Sequence, residues 1–215
     1  MKVALIGASG FVGKAVLNEL LQRDHQVTTI VRHPEKLQPQ DDLTIIGADA
    51  TDVEALASAI KGNDAAISTF NAGWANPNLY ADFLIGSKSV QAGVKASGVK
   101  RLLVVGGAGS LFINGSQLVD SPDFPAEYKA GATAARDYLN ELKQETELDW
   151  VFLSPAIEMH PGTSGVRTGH YRKGLENPVF NESGRSILSV EDLAVVIVDE
   201  IEQANHSRQR FTAAY

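Results

Sequence analysis

Short apolar runs alternate along this chain with longer stretches in which apolar residues return every three or four positions. Val3–Ile6 reads as a buried strand, and residues 11–23 as a helix with Val12, Val16, Leu20 and Leu21 on one face. Val27–Val31 and Leu43–Ile46 give a second and third strand. Thr51 opens a helix through Ile60, with Glu54 at capping-box spacing. Asp64–Thr69 is a fourth strand, and residues 79–97 form a long helix stopped by Gly98. Arg101–Val105 is a fifth strand, 125–146 a long helix and Asp149–Leu153 a sixth strand. Residues 155–186 then break the alternation, being rich in Gly, Pro, Ser and charge with no clear period. Ser189 and Asp192 cap a late helix through Ile201, and the final "RFTAAY" is expected as a short edge strand.

Strand–helix alternation of this kind predicts an α/β fold: a doubly wound, mostly parallel sheet between two helical layers, built as a single domain over residues 1–215. Ligands of such sheets bind beyond the carboxyl ends of the strands, near the point where strand order reverses. The turn at residues 7–13 lies at such an end, and the irregular segment 155–186 is placed to serve as a small C-terminal substrate cap.

Composition narrows the ligand. Of 215 residues, 44% are hydrophobic and 21% charged, which suits one sizeable core rather than a disordered chain. The net charge of -7 and the lack of any basic run argue against a nucleic-acid partner. There is no cysteine, so disulfides, thiolate catalysis and cysteine zinc sites are excluded. Five histidines, His25, His33, His160, His170 and His206, show no metal-ligand spacing, and no metal is expected. No apolar stretch approaches the roughly 18 residues of a membrane span, and the first apolar run is too short for a signal-peptide core. A cytoplasmic protein with a small-molecule partner and no membrane is therefore expected. The pattern leaves the oligomeric state open.

The most specific motif is Gly7-Ala8-Ser9-Gly10-Phe11-Val12-Gly13, directly after a strand and directly before a helix. Gly7 permits the tight turn, Gly10 lets backbone N–H groups approach a pyrophosphate, and Gly13 allows close packing of helix on sheet. The helix N-terminus, with Phe11 and Val12 in its first turn, adds unpaired donors and a partial positive charge. Gly13 is followed by Lys14-Ala15, not by the Lys-Ser or Lys-Thr of an ATP- or GTP-binding P-loop. The motif thus points to a Rossmann-type dinucleotide site.

The second strand selects the dinucleotide. An NAD site places an acid at that strand's end to accept from the ribose hydroxyls, whereas an arginine there welcomes the 2′-phosphate of NADP. This chain reads Val31-Arg32-His33, with Lys36 one turn later, so NADP(H) is expected over NAD(H). Ser9 offers a hydroxyl to the same phosphate, and Asp49 a carboxylate to the adenine amino group, with Ala50 beside it. Phe70-Asn71-Ala72-Gly73 follows the fourth strand and is placed to run beside ribose and pyrophosphate, and Gly106, just past the fifth, is a further cofactor-binding candidate. Trp74 and Tyr80 are candidates to wall a flat pocket, Glu158 and His160 to face a substrate, and the basic stretch 166–176 to meet an anion or close over the cofactor.

Taken in order, "GASGFVG", "VRHPEK", "GADATD", "FNAG", "VVGGAGS", "SPA" and "LSVEDLA" resemble the short-chain dehydrogenase/reductase superfamily over nearly the whole chain. The resemblance is to its atypical branch, which holds NmrA-like proteins, NAD(P)H-binding flavin reductases and biliverdin reductase B. It implies a serine or threonine after the fifth strand and a Tyr-x-x-x-Lys on the next helix, four apart so as to share one face. The sequence departs from both. Tyr128 stands where the tyrosine is expected, but position 132 is Ala132, and Lys129 is about 100° round the helix. Ala108 falls in the serine position, with Ser110 two residues on. A tyrosine without a cationic neighbour is a poor proton donor and acceptor at neutral pH. Ser110 and Tyr128 are therefore weak catalytic candidates, and the catalytic residue is unassigned.

Three readings fit. The first is NADPH-dependent hydride transfer to a flavin or quinone, which needs a stacked acceptor but no tyrosine–lysine relay. The second is a non-catalytic, NADP(H)-sensing regulator of the NmrA-like kind. The third is an epimerase- or dehydratase-like enzyme acting on sugar nucleotides with other acid–base residues.

Overall fold

In a computed structural model, which describes all 215 residues, one eight-stranded sheet runs nearly the length of the chain. The amino-terminal half contains β1 (Lys2–Ile6), α1 (Phe11–Gln22), β2 (Gln26–Val31), β3 (Leu43–Gly47), α2 (Val53–Ile60), β4 (Ala65–Ser68) and α3 (Leu79–Ser97). The rest comprises β5 (Arg101–Val105), a small hairpin of β6 (Phe112–Ile113) and β7 (Ser116–Gln117), α4 (Ala126–Leu142), β8 (Asp149–Ser154), β9 (Arg172–Gly174), α5 (Val190–Gln203) and β10 (Gln209–Ala214). The sheet order is β3-β2-β1-β4-β5-β8-β10-β9, and only β9 runs antiparallel. This is the three-layer, doubly wound Rossmann-type α/β fold.

Strand residues alternate between two apolar layers, as the pleat requires. Val3 and Leu5 face a core filled by Val16, Leu17 and Leu20 of α1 and Leu193, Val196 and Ile197 of α5. Ala4 and Ile6 face the opposite core, where Leu56 and Ile60 of α2, Val90 and Val94 of α3, and Leu139 and Leu142 of α4 meet. Because the strands are parallel, each connecting helix returns against them. Helix N-termini therefore gather at the carboxyl edge of the sheet, with the turn after β1. β1 lies between β2 and β4, and strand order reverses there.

Several local expectations are corrected. Thr51 does not cap α2: Asp52 does, its carboxylate accepting from the Ala55 N–H at 3.0 Å, while Thr51 donates to Asp49. The terminal strand is not at the edge. β10 is buried between β8 and β9, and the charged residues Arg172 and Lys173 stand on the true edge strand, β9, as suits an exposed edge. The apolar periodicity does not place the short hairpin β6–β7, although its Asn114-Gly115 turn, with φ +52° and +84°, is a favourable two-residue hairpin connection. Gly98 (φ +86°) ends α3 as expected. At α5, the Ser189 hydroxyl accepts from the Asp192 N–H at 3.0 Å.

Within 155–186, residues 165–169 turn down against α5 and α1. Asp192 accepts from the N–H groups of Thr168 and Gly169 at 2.9 and 2.8 Å, and Arg167 reaches Glu19 at 2.7 Å. No helix is long and apolar enough to cross a membrane, and no group of three or more His, Asp or Glu side chains is arranged to hold a metal.

Candidate dinucleotide-binding site

The cleft opens where β1 and β4 end, and glycine makes it possible. Gly7 has φ +89°, and a Cβ there would lie 2.9 Å from Thr69 Oγ1. A Cβ on Gly13 would lie 2.2 Å from the Gly7 carbonyl oxygen, so α1 can approach β1 only without a side chain. Gly10 caps α1 in extended conformation, and a Cβ there would meet nothing closer than the Gly7 carbonyl oxygen at 3.4 Å. Its missing side chain thus serves open space in front of the helix, not packing behind it. The first turn of α1 has no side-chain cap and no acid, so its N–H groups remain aimed at the cleft.

Gly7, Ser9 and Gly10 form one wall. Arg32 and Lys36, together with His33, stand at the β2 end, and Ala50 follows β3. Neither Arg32 nor Lys36 has an ion-pair partner, whereas His33 Nδ1 lies 3.1 Å from Glu35 Oε1. Phe70 and Asn71 close the other end. Seven of the expected residues thus share one cleft: Gly7, Ser9, Gly10, Arg32, Ala50, Phe70 and Asn71. The backbone cradle fits the linked phosphates of a dinucleotide, and the two unpaired cations stand at its β2 end.

The other expected residues stand around the cleft rather than on its wall. Phe11, Val12 and Gly13 belong to the first turn of α1. The Asp49 carboxylate is turned to Thr51, accepting from its N–H at 2.8 Å and its hydroxyl at 2.7 Å. The bond from the Thr51 hydroxyl, then that from its N–H and the charge of Arg32, hold the carboxyl below its ordinary range. Gly73 (φ +99°) donates its N–H to Asn71 Oδ1 at 2.7 Å, and Ala72 completes that turn. Gly106 faces the core: a Cβ there would meet Phe152 Cζ at 1.9 Å.

Sequence reasoning did not assign Thr69, Ile6, Ile30, Val31 or Ala48 to the cleft, and it named His33 and Lys36 without a role. The available signal was positional: each lies at or shortly past the carboxyl end of β1, β2, β3 or β4.

The catalytic candidates are separate from this cleft. Ser110 is buried; its hydroxyl donates to the Gly107 carbonyl at 3.3 Å and lies 3.2 Å from both Ser154 Oγ and Arg210 Nη1. Tyr128 is half exposed in the first turn of α4, its hydroxyl unbonded and its ring meeting Trp74 edge to face with centroids 5.6 Å apart. One turn on, Ala132 is buried so closely against Gly109 that a Cβ on Gly109 would come within 2.9 Å of its own. The remaining polar candidates have structural partners. Tyr80 donates to Asp137 at 2.8 Å. Glu158 pairs with Arg185 at 3.0 Å, a bond that holds its carboxyl low. His160 Nδ1 accepts from the Gly162 N–H at 3.1 Å. In the basic stretch, Arg167 pairs with Glu19, and Arg172 donates to the carbonyls of Phe180 and Tyr215 at 2.6 and 2.5 Å.

Fold and cleft together define a nicotinamide-dinucleotide-binding protein of the atypical short-chain dehydrogenase/reductase type. Residues 7–204 match the model of a family described as NAD(P)H-binding, and the chain belongs to that family. YwnB of Bacillus subtilis (strain 168) is 39% identical over 215 residues, which cover 99% of this chain and 97% of that one. A Bacteroides thetaiotaomicron structure, provisionally named an epimerase, is 44% identical with a TM-score of 0.91, over 100% of this chain and 96% of that one. A Streptococcus pneumoniae structure, provisionally named an NADH-flavin reductase, is 37% identical with a TM-score of 0.85, over 100% and 99% of the two chains.

Proposed function

We propose that the chain is an NADPH-dependent oxidoreductase that delivers a hydride to a flat conjugated acceptor, a flavin or a quinone. One juxtaposition carries the reading. The cleft keeps an intact phosphate cradle with unpaired Arg32 and Lys36, while the helix at its far side carries Tyr128 with Ala132 where a relay lysine would stand. In this reading the first-turn N–H groups of α1 hold the pyrophosphate. Arg32, Lys36 and the Ser9 hydroxyl hold the 2′-phosphate, and Phe70 and Asn71 bound the ribose. When bound, the reduced nicotinamide supplies a hydride, and an acceptor ring that takes it needs one further proton, which water provides. The protein then contributes orientation rather than an acid–base pair, consistent with the closed position at Ala132. The partner in this reading is a small molecule, met in the cytoplasm.

The experiment is oxidation of NADPH by the purified protein under anaerobic conditions, followed by nicotinamide absorbance, with riboflavin, FMN and menadione as acceptors. The expected result is acceptor-dependent oxidation. Tight NADPH binding with no acceptor reduced would overturn the reading in favour of a cofactor-sensing regulator.

A further inference from the structure

Trp74 is the most exposed large apolar side chain in the protein, at 60%, and Tyr128 beside it is 49% exposed. An indole in water is normally a loose side chain, but this one is seated. Its loop begins with the cleft residues Phe70 and Asn71 and is closed on itself: Asn71 Oδ1 accepts from the Gly73 N–H at 2.7 Å, and the Asn76 amide donates to the Ala72 carbonyl at 3.3 Å. On the α4 side, a Cβ on Gly131 would lie 2.9 Å from Trp74 Cζ3 and 2.9 Å from Leu79 Cδ2, so the indole edge fits where a side chain is missing. The Tyr128 ring stands at 87° to the indole with centroids 5.6 Å apart. The pair is thus an aromatic corner held in place yet open to solvent.

Its position follows from the topology. Arg32 and Lys36 mark the adenosine end of the cleft, past β2. A dinucleotide laid from there across the turn after β1 leaves the cleft past β4, beside Asn71, and Trp74 lies three residues further along the same loop. The first turn of α4, with Tyr128, reaches the same carboxyl edge. The corner therefore continues the cleft at its reactive end.

We infer that Trp74 and Tyr128 form the wall against which the flat, electron-poor ring of the hydride acceptor stacks, making them specificity-determining residues rather than catalytic ones. This rests on the oxidoreductase reading above. An electron-rich indole face favours an electron-deficient ring such as isoalloxazine or naphthoquinone, and a pre-seated wall spares the cost of ordering it. Tyr128 then contributes its ring and not its hydroxyl, which suits a helix with Ala132 one turn on.

The test titrates riboflavin with the NADP⁺-loaded protein, reading the quenching of the flavin's own fluorescence, and repeats steady-state reduction with riboflavin and menadione. Trp74→Ala is expected to weaken riboflavin about tenfold and raise the acceptor KM in proportion, Tyr128→Ala to weaken it by a smaller factor in the same direction, and Trp74→Phe to keep most of the affinity. Gly131→Ala, which pushes the indole off its seat while retaining it, is expected to fall between. NADPH affinity is expected to change less than twofold in all four. If the parent reduces acceptors and Trp74→Ala and Gly131→Ala leave riboflavin binding and both KM values unchanged, the wall lies elsewhere and the inference fails while the function stands. If the parent binds NADPH but neither binds nor reduces any acceptor, the function reading fails and the wall with it.

Discussion

The hydroxyl of Thr69 occupies the space that a side chain on Gly7 would need: Thr69 Oγ1 donates to the Ile6 carbonyl at 2.9 Å and stands 2.9 Å from the Cβ that Gly7 lacks. The end of β4 is thereby tied to the end of β1 at the reversal point of the sheet. The Thr69 backbone oxygen lies 3.0 Å from the same position, so shortening the threonine would not make room. Gly7→Ala also meets a φ of +89°, and is expected to cost about 1–3 kcal/mol of stability, read by chemical denaturation, together with loss of NADPH binding.

The other two glycines of the turn separate folding from binding. Gly13→Ala places a methyl group 2.2 Å from a backbone oxygen that cannot yield, and is expected to cost about 3 kcal/mol or more. Gly10→Ala meets only one contact, at 3.4 Å, and should change stability by about 0.5 kcal/mol or less while weakening NADPH at least about tenfold. Denaturation and calorimetry on the two variants check this. Equal loss of stability would contradict the division of roles.

The first half of the fold was legible because its determinants are local. Val3–Ile6, the glycine turn and the helix after it carry apolar period, backbone permissiveness and helix start within a few residues of one another. The place of Arg32 on the cleft wall was legible because ligands of this architecture bind beyond the carboxyl ends of strands near the reversal point. What failed depended on partners distant in sequence. The strand at Gln209–Ala214 looks terminal and short, yet it is interior because β9, about 35 residues earlier, covers its outer side. Ser110 looks available as a hydroxyl, but Ser154 and Arg210 engage it from across the sheet. Thr51 and Glu54 had capping spacing, but Asp52 supplied a better-placed carboxylate one residue later.

The last residue of the chain closes a buried network. Tyr215 donates its hydroxyl to Asp192 Oδ2 at 2.5 Å, and Asp192 is fully buried. Burial pushes the aspartate up, but bonds from Thr168, Tyr215 and Gly169 outweigh it and keep the carboxyl below its ordinary range. Tyr215→Phe is expected to cost about 1–3 kcal/mol in denaturant titrations, because a buried carboxylate loses a donor. Protease sensitivity of the 165–169 segment, which the same aspartate holds, should rise in parallel.

Acid should act on the contact between α3 and the turn that follows α4. Burial pushes Glu145 up, but bonds from the Glu147 N–H, Gln91 and Lys95 outweigh it and hold its carboxyl at about 2, against an ordinary 4.5. A lowered folded value means its contribution is complete above 4.5 and is lost as pH falls from there towards 2. Glu145→Gln is expected to cost about 1–3 kcal/mol at neutral pH and to flatten the fall in stability over that acid window. An unchanged acid profile would show that the network contributes nothing to it.

The proposed grip of the turn after β1 and of Arg32 on NADPH is tested most directly by calorimetric titration of NADPH and NADH into the parent and Arg32→Asp. The account predicts that the parent binds NADPH at least about tenfold tighter than NADH, and that Arg32→Asp removes or reverses that preference without unfolding the protein. Failure of the folded parent to bind either dinucleotide, or an unchanged preference in Arg32→Asp, would contradict it.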